Sequence, residues 1–403
     1  MNNNIGIPIA SGIYLIHVDV PGIGETVLKF FGGIRQVDLQ GINLEMQKKM
    51  KNSIINMKRS LFVSAMMIGL FASAGNEDRV GSSGASMLLV NPWARSSALG
   101  DANIANAKGL EASYLNIAGL AFTDKTQLKF NTANWMGSAG IQFYSAGIAQ
   151  RISDDGVLTV SVQSMNYGDI DVTTVNIPEG GIGTFSPRTN IVNVGYAKAF
   201  SSSIYAGINL KVLSESIFNV RGNGVALDAG IQYVTGEQDQ MKFGITLKNV
   251  GPTIKYKGDG FTLQANNNET SALTSLDQRI QAYELPSLLA IGGSYDFNLD
   301  EKSKLIIAFG YTANSFFYDQ FRLGANYGMN LDKFAFNLRA GFVYEKNLFS
   351  AENRSNAMVG PTAGFSVDAL VGKNQTALGV EYSSRFAGVF GIVHTFGITI
   401  DLK

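Results

Sequence analysis

From about residue 126 to the C-terminus, apolar and polar side chains alternate with a period of two, the pattern of strands whose two faces meet different surroundings. Over 241–248 one face carries Met241, Phe243, Ile245 and Leu247, and the other Lys242, Gly244, Thr246 and Lys248. Over 204–212 Ile204, Ala206, Ile208, Leu210 and Val212 oppose Tyr205, Gly207, Asn209 and Lys211. Over 225–233 Val225, Leu227, Ala229, Ile231 and Tyr233 oppose Asp228, Gly230 and Gln232. Segments 321–328, 334–344 and 376–382 repeat the pattern, with Arg322, Arg339 and Glu381 on their polar faces. These strands run to about ten residues, the 9–11 that cross a bilayer rather than the five or six usual in soluble sheets. In lipid every backbone group must be paired, so only a closed barrel fits. The apolar face then meets lipid, and the Gly, Ser, Thr, Asn and charged face lines a lumen. A soluble β-sandwich or propeller would also alternate, but strand length and aromatic abundance favour the barrel.

Strands are expected near 126–135, 138–151, 156–167, 169–176, 190–200, 203–213, 224–234, 240–250, 286–297, 303–312, 318–329, 333–345, 362–372, 375–384 and 388–402. Single-chain bacterial barrels have an even number of strands. Segment 169–176 reads as a continuation of its neighbour, which leaves about fourteen antiparallel strands. Asp154-Asp-Gly156 is a hairpin signal. Polar connections at 201–203, 298–302, 330–332 and 373–374 are short, and those at 176–189, 252–284 and 346–361 are long. Short turns on one side and long loops on the other are the outer-membrane pattern. The long loops are the candidate protein-binding surfaces. Within one of them Leu273, Leu276 and Ile280, at spacings of three and four, predict a short helix.

The expected lumen charges are Lys211, Asp228, Lys242, Lys248, Arg322, Arg339 and Glu381. Their signs are mixed and form no single-sign track, which points to pairing with one another and with whatever fills the bore. Trp93, Trp135 and the many tyrosines are candidates for interface girdles, with packing inside the lumen an equal alternative for Trp93.

Composition narrows the chemistry. The chain of 403 residues has no cysteine, so thiol catalysis, disulfides and thiolate metal sites are excluded. Lys+Arg and Asp+Glu balance at 32 each, which argues against a nucleic-acid binder held by phosphate neutralisation. The two histidines, His17 and His394, are too few for a histidine-rich metal cluster, and His394 falls on the apolar register of Ile392, Phe396 and Ile398. Gly180-Gly-Ile-Gly183 and Arg221-Gly-Asn-Gly224 lack the strand, helix and lysine of a phosphate cradle. Asp169 and Asp171 read as solvated loop charges. No catalytic, cofactor-binding or metal site is therefore expected.

The N-terminal part differs in kind. The run Leu61-Phe-Val-Ser-Ala-Met-Met-Ile-Gly-Leu-Phe71 is well short of the roughly 20 residues that a membrane helix needs. It follows Lys48, Lys49, Lys51, Lys58 and Arg59 and ends at Ala72-Ser-Ala74, the order of a secretory signal peptide. Residues 46–74 are expected to be that signal, with Met46 as its start. Residues 1–45 then form an extra extension, strand-rich at 11–20 and 25–31, read in from a start site placed too early. Residues 6–15 resemble the last hairpin of the immunoglobulin-like tails on Bacteroidota secreted proteins.

Residues 75–122 do not alternate and are rich in Ala, Gly and Asn, the composition of a plug packed closely against the inside of the wall, with the barrel at 123–403. Here Ala94-Arg-Ser-Ser-Ala-Leu-Gly-Asp-Ala102 is followed by Ala112-Ser-Tyr-Leu-Asn-Ile-Ala-Gly119. The pair resembles the N-terminal hatch of the PorV/PorQ outer-membrane proteins, relatives of the FadL fatty-acid transporters. The wider family carries Asn-Pro-Ala-Gly where this chain has Asn116-Ile-Ala118-Gly119. On this resemblance Arg95, Gly100, Asp101, Asn116, Ala118 and Gly119 form the plug motif.

The resemblance implies a non-enzymatic component of type IX secretion in the outer membrane of a Gram-negative, Bacteroidota-like cell. It would bind the C-terminal signal domains of secreted cargo, associate with the translocon barrel and deliver cargo to the surface sortase. The alternatives are a FadL-like channel for long-chain fatty acids or other hydrophobic small molecules, and a lipopolysaccharide-modifying protein. A kinked strand or lateral opening beside an apolar pocket would favour the channel. A Ser/His/acid group facing the outer leaflet would favour the enzyme.

Overall fold

The structure, a computed structural model, describes Gly12–Val20, Gly24–Gly32 and residues 77–402 apart from 137–139, 267–272, 351–353, 355 and 373–375. The chain divides into two units, residues 1–72 and 73–403. In the first unit β1 (Gly12–Val20) and β2 (Gly24–Gly32) form an antiparallel hairpin, in register from Gly12 opposite Gly32 to Val20 opposite Gly24. The signal peptide expected at 46–74 lies outside the described residues.

The second unit is a closed, antiparallel barrel of fourteen strands. They are β3 (Thr126–Trp135), β4 (Ile141–Arg151), β5 (Gly156–Asn166), β8 (Arg188–Ala199), β9 (Ile204–Ile217), β10 (Val220–Thr235) and β11 (Met241–Val250), then β15 (Leu288–Asn298), β16 (Ser303–Asn314), β17 (Gln320–Asn330), β18 (Phe334–Glu345), β19 (Gly360–Val371), β20 (Thr376–Phe386) and β21 (Ile392–Leu402). Each pairs with its sequence neighbour, and β21 closes the ring on β3, from Leu402 opposite Thr126 to His394 opposite Asn134. The remaining strands belong to the long loops: β6 (Ile170–Asp171) with β7 (Thr184–Phe185), β12 (Tyr256–Gly258) added to β10, and β13 (Thr262–Asn266) with β14 (Leu273–Asp277).

Burial is inverted relative to a soluble protein. Phe130, Ile208, Ile245, Leu338 and Ile398 are exposed on the outer surface, whereas Asn193, Asn209, Gln232 and Thr246 are fully buried inside. Such an apolar outer face can only be stable against lipid. No helix among the described residues is long and apolar enough to cross a membrane. Turns at 152–155, 200–203, 236–240, 299–302 and 331–333 are short, and they share an end of the barrel with the start of β3 and the end of β21. The loops at 167–187, 251–287 and 346–359 stand at the other end, which by this asymmetry is the extracellular one.

Two expectations are corrected. Segment 273–282 is not a helix: β14 pairs with β13, with Leu263 opposite Leu276 and the Thr262 hydroxyl donating to Asp277 at 2.8 Å. The Thr- and Ser-containing run takes the partner strand available just before it, which a three-and-four spacing cannot reveal. Trp135 is no girdle residue. It faces inward and packs edge-on against Phe143, with ring centroids 6.2 Å apart.

The plug enters the bore as a series of single turns: Ser86–Leu89, Ala94–Ala98, Asn103–Ala105, Gly109–Glu111, Ala112–Leu115 and Ile117–Phe122. Trp93, Leu110, Ile117 and Leu120 are buried within it. The wall admits it by giving up side chains at the contact: a Cβ on Gly230 would stand 2.1 Å from Asn116 Oδ1, and one on Gly244 2.7 Å from the Ile104 carbonyl. The junction of plug and barrel is fixed by Arg151, which donates to the carbonyls of Ala121, Thr123, Asp124 and Asp154.

Candidate functional site

The plug motif anchors the plug to the wall. Asn116 caps the turn Ile117–Phe122, accepting from Ala118 N at 3.3 Å. Its amide donates to the Ile104 carbonyl at 3.1 Å and to the Ile231 carbonyl of β10 at 3.0 Å. Gly119 has no room for a side chain, since a Cβ there would lie 1.9 Å from the Ala107 carbonyl. Gly100 and Asp101 are consecutive left-handed residues, with φ of 62° and 61°. That turn points the Asp101 carboxylate at Asn91 Nδ2, 2.5 Å away, and at Arg385 Nη2 of β20, 2.7 Å away. Burial pushes the Asp101 carboxyl up, but Arg385 and Arg322 outweigh it and hold it below its ordinary value.

Arg95 reaches the wall lower on the same strand, β20, and on the adjoining β19. It pairs with Asp368 of β19 at 2.5 Å and with Glu381 of β20 at 2.6 Å. Lys129 of β3 reaches the second Glu381 oxygen at 2.9 Å and also pairs with Glu111 of the plug. Glu381 accepts from the Thr399 hydroxyl of β21 as well, at 2.5 Å. Burial works against the Arg95 charge, but Glu381 and Asp368 more than offset it and raise its guanidinium above its ordinary value.

The expected lumen charges all face the bore, in different circumstances. Lys211 pairs with Asp228 at 2.6 Å. Lys242 pairs with Asp296 of β15, which Lys304 of β16 also reaches at 2.6 Å. Arg322 stands 3.9 Å from Asp101 and donates to Gln320 at 2.7 Å. Two members depart from mutual pairing. Arg339 donates to the Ser366 hydroxyl at 3.0 Å and has no carboxylate partner among the described residues. Lys248, 4% exposed, has its ammonium 3.5 Å from the centroid of the Tyr114 ring, with no ion pair or hydrogen bond among the described residues. Below the plug a cavity of about 230 Å³ is lined by Arg339, Lys108, Lys242 and Lys304 among others, and burial followed by Lys242 lowers the Lys108 ammonium below its ordinary value.

Among the described residues the wall carries a β-bulge between β10 and β11. Asn249, near the end of β11, is left-handed with φ of 59°. Asn tolerates this conformation better than other residues with a side chain. The buried Lys211–Asp228 pair imposes it. Lys211 Nζ donates to Asn249 Oδ1 at 2.8 Å, Asn249 N donates to Asp228 Oδ1 at 2.8 Å, and Asn249 Nδ2 donates to the Pro286 carbonyl at 3.1 Å. The β10–β11 register slips here, between Leu227 and Ala229, and β11 stops pairing with β15 at Lys248 opposite Leu288. Beyond this point lies a cavity of about 360 Å³. Its lining mixes outward residues of the wall, Leu247, Val250 and Leu289, with inward ones, Asn249, Leu285 and Leu288. It is a notch at the extracellular end of β11 and β15, beside the loop that joins them. Toward the extracellular end an apolar cluster of Trp135, Phe143, Met165, Ile191 and Leu213 closes around Met87 and Leu88 of the plug.

Sequence parity would have found Lys129, Asp296 and Arg385, which lie on the polar registers of their strands. Nothing in the pattern marks Asn249. His394 faces outward near the extracellular rim, its Nδ1 2.8 Å from the Tyr382 hydroxyl, while its cross-strand neighbour Ser384 donates to the Ala363 carbonyl at 3.3 Å. Their hydrogen bonds thus run to Tyr382 and to the backbone, not to each other.

Fold and lumen together define a plugged, transmembrane β-barrel of the outer-membrane type. No protein-family model matches the sequence, and no curated protein is similar to it. Among solved structures the chain is similar to the Pseudomonas putida toluene transporter TodX, at 12% identity over 77% of this chain and 97% of that one, with a TM-score of 0.49. It is likewise similar to a Pseudomonas aeruginosa FadL homologue, at 12% identity over 78% and 98% with a TM-score of 0.48. The Ralstonia pickettii toluene transporter TbuX matches at 12% identity over 76% and 96%, with a TM-score of 0.46.

Proposed function

We propose that the barrel is an outer-membrane channel for hydrophobic small molecules, which pass between the apolar upper lumen and the membrane through the notch beside Asn249. The observation that carries this reading is the notch: a β-bulge held by a buried ion pair, with outward-facing and lumen-facing residues lining one cavity. An apolar solute leaving sideways never meets the charged plug below. Thr253 stands exposed on the rim, and Thr253→Trp fills the notch without removing a wall hydrogen bond. Uptake of a radiolabelled long-chain apolar compound by whole cells should rise on expression of the barrel and fall back with Thr253→Trp. Equal uptake with and without the barrel sinks the reading.

A second reading keeps the cargo-adaptor role in type IX secretion, with cargo C-terminal domains, translocon barrel and sortase as partners. What favours it is the extracellular rim. Val175, Val389 and Phe349 are 99%, 95% and 88% exposed, and Leu263, Leu273 and Leu276 are exposed on the β13–β14 hairpin. Apolar surface in that quantity above a membrane marks a contact with another macromolecule. The test is a comparison of surface and secreted proteins after gene deletion. Normal export of proteins bearing C-terminal type IX signals rules this role out.

A further inference from the structure

The outward face of β8, β9, β10 and β12 is ordered by level. At the extracellular end Arg188 lies opposite Ser216, Ser216 opposite Arg221, and Arg221 opposite Lys257, so one cross-strand row runs over four strands. The next outward row is Asn190, Ser214 and Asn223, and the one below it Val192, Val212 and Val225. Val194, Leu210 and Leu227 follow, and all six side chains of these two apolar rows are exposed on the wall. The lipid-facing belt therefore ends at the valine row, and the cations stand two rows above it. Four residues of tilted strand amount to about 10 Å of height. A headgroup layer is about 5–8 Å thick, and the long arginine and lysine side chains span the remainder.

The chain does not answer the charges of this row. Arg188, Arg221 and Lys257 are exposed and have neither an ion pair nor a side-chain hydrogen bond among the described residues. Arg221 and Lys257 stand directly opposite one another, and like charges in that position repel. Lys255 adds a fourth cation, because Ile254 and Tyr256 turn inward and Lys255 and Lys257 outward. The neighbouring Glu215 faces inward, where its carboxylate accepts from the hydroxyls of Tyr256 and Tyr283 at 2.8 and 2.7 Å. β12 takes its place on β10 beyond the end of β11 at Val250, so the repulsive pair is made by the long loop itself. Across the barrel the outward row at the same end is aromatic: Tyr311, Phe321 and Tyr344 lie side by side on β16, β17 and β18.

We propose that Arg188, Arg221 and Lys257, with Lys255, bind the phosphate groups of an outer-leaflet glycolipid, whose acyl chains lie along the Val192, Val212 and Val225 row. A lipid headgroup is the occupant because the cations continue directly upward from lipid-facing wall. Guanidinium groups offer phosphate oxygens paired donors, and the lysines add point charges. With neighbouring strands about 4.8 Å apart, Arg188 and Lys257 start about 14 Å from one another, a span for two phosphates on one headgroup. The amide and hydroxyl row between cations and valines suits the sugar that joins phosphates to acyl chains. This ligand sits on the outside of the barrel, so the site is independent of any route through the lumen.

The test uses the full chain in a non-ionic detergent and three probes: diphosphoryl lipid A, the same lipid stripped of both phosphates, and inorganic phosphate. Native mass spectrometry reads the affinities. The diphosphoryl lipid should bind at least about tenfold tighter than the stripped one, since each cation beside anionic lipid is worth about fivefold. Arg221→Gln should weaken it by about that single factor, and Arg188→Gln, Arg221→Gln and Lys257→Gln combined should remove the preference. All three residues are exposed, and unchanged gel mobility of the folded barrel shows that the fold is kept. Lys302→Gln combined with Lys333→Gln, on turns at the opposite end, should leave the preference intact. Equal affinity for the two lipids, a preference that survives the triple variant, or an equal loss in the double variant overturns the site. Inorganic phosphate binding as tightly as the diphosphoryl lipid overturns a lipid as the ligand. A photo-crosslinker carried at position 223 in whole cells should capture glycolipid, and adducts to protein alone overturn the proposal in favour of an acidic protein partner.

Discussion

Arg95 and Lys248 are both cations drawn out of water into the same lumen, and the protein treats them in opposite ways. Arg95 meets two carboxylates, Asp368 and Glu381, and the second of these is shared with Lys129 and Thr399. Plug and four adjacent strands, β19, β20, β21 and β3, are tied through this buried network. Lys248 meets an aromatic ring and two further cations around a small cavity. A buried charge with its partners supplied belongs to the architecture. The difference separates a lower lumen locked by paired charges from an upper one where, among the described residues, a cation rests on an aromatic ring without a carboxylate partner.

The largest expected effect breaks the closed half. Glu381→Ala leaves Arg95 and Lys129 facing an emptied node, and losing one partner of a buried pair typically destabilises by about 3–5 kcal/mol. Urea unfolding in detergent, followed by loss of the folded barrel's gel mobility, should show a large fall in midpoint. A shift within error would mean that the plug is held by its apolar contacts and not by this node. Next in size is the kink. Asn249→Ala keeps a side chain in the left-handed region, at about 1–2 kcal/mol, and loses its hydrogen bonds to Lys211 and Pro286. Asn249→Gly retains the conformation and loses only the bonds. Uptake should therefore fall further in Asn249→Ala than in Asn249→Gly. The reverse order would separate the notch from the backbone break.

A smaller effect is set by pH. Asp101 joins the two halves, because it belongs to the plug and faces the upper cavity. Burial raises its carboxyl, yet Arg385 and Arg322 more than reverse this, so the folded state favours the charged form. Its stabilising contribution is complete above the unfolded value of about 3.9. It is lost as pH falls below that toward the depressed folded value. Unfolding midpoints measured from pH 6 to pH 2.5 should fall less steeply in Asp101→Asn than in the parent. Identical slopes would show that the Asp101–Arg385 contact adds nothing.

Much of this contrast was legible in the sequence, because period-two alternation is a direct imprint of a wall with two solvents. It placed Glu381, Asp228 and Lys211 inside and Ile245 and Ile398 outside, and the even-number rule removed 169–176, of which only Ile170–Asp171 forms a strand, in a loop hairpin. The small-residue run with Asn116 and Gly119 marked the plug. Partnership was not legible. Parity states which way Lys248 and Lys211 point, but the carboxylate that serves Lys211 is on β10, and its absence beside Lys248 depends on the register of four other strands. The notch was hidden for a related reason. It involves one left-handed Asn held by an ion pair on neighbouring strands, and Asn is an ordinary lumen residue at Asn131, Asn193 and Asn209. Nor could spacing distinguish the β13–β14 hairpin from a helix, since the cross-strand pair Leu263 and Leu276 is visible only once the loop folds back.

The smallest expected effect is the most diagnostic. If Lys248 were a structural cation like Arg95, replacing it would strand a carboxylate and destabilise the barrel to a similar degree. It has no carboxylate to strand. Lys248→Met keeps the length of the side chain and its packing on Tyr114 while removing a buried amine that has no ion pair among the described residues. Replacing unsatisfied buried charge by an apolar side chain of similar volume is often neutral or stabilising. In the same urea assay Lys248→Met should therefore unfold within about 1 kcal/mol of the parent midpoint, the most that loss of the cation–π contact would cost. A loss approaching that of Glu381→Ala would place Lys248 among the structural ions and erase the distinction between the two halves of the lumen.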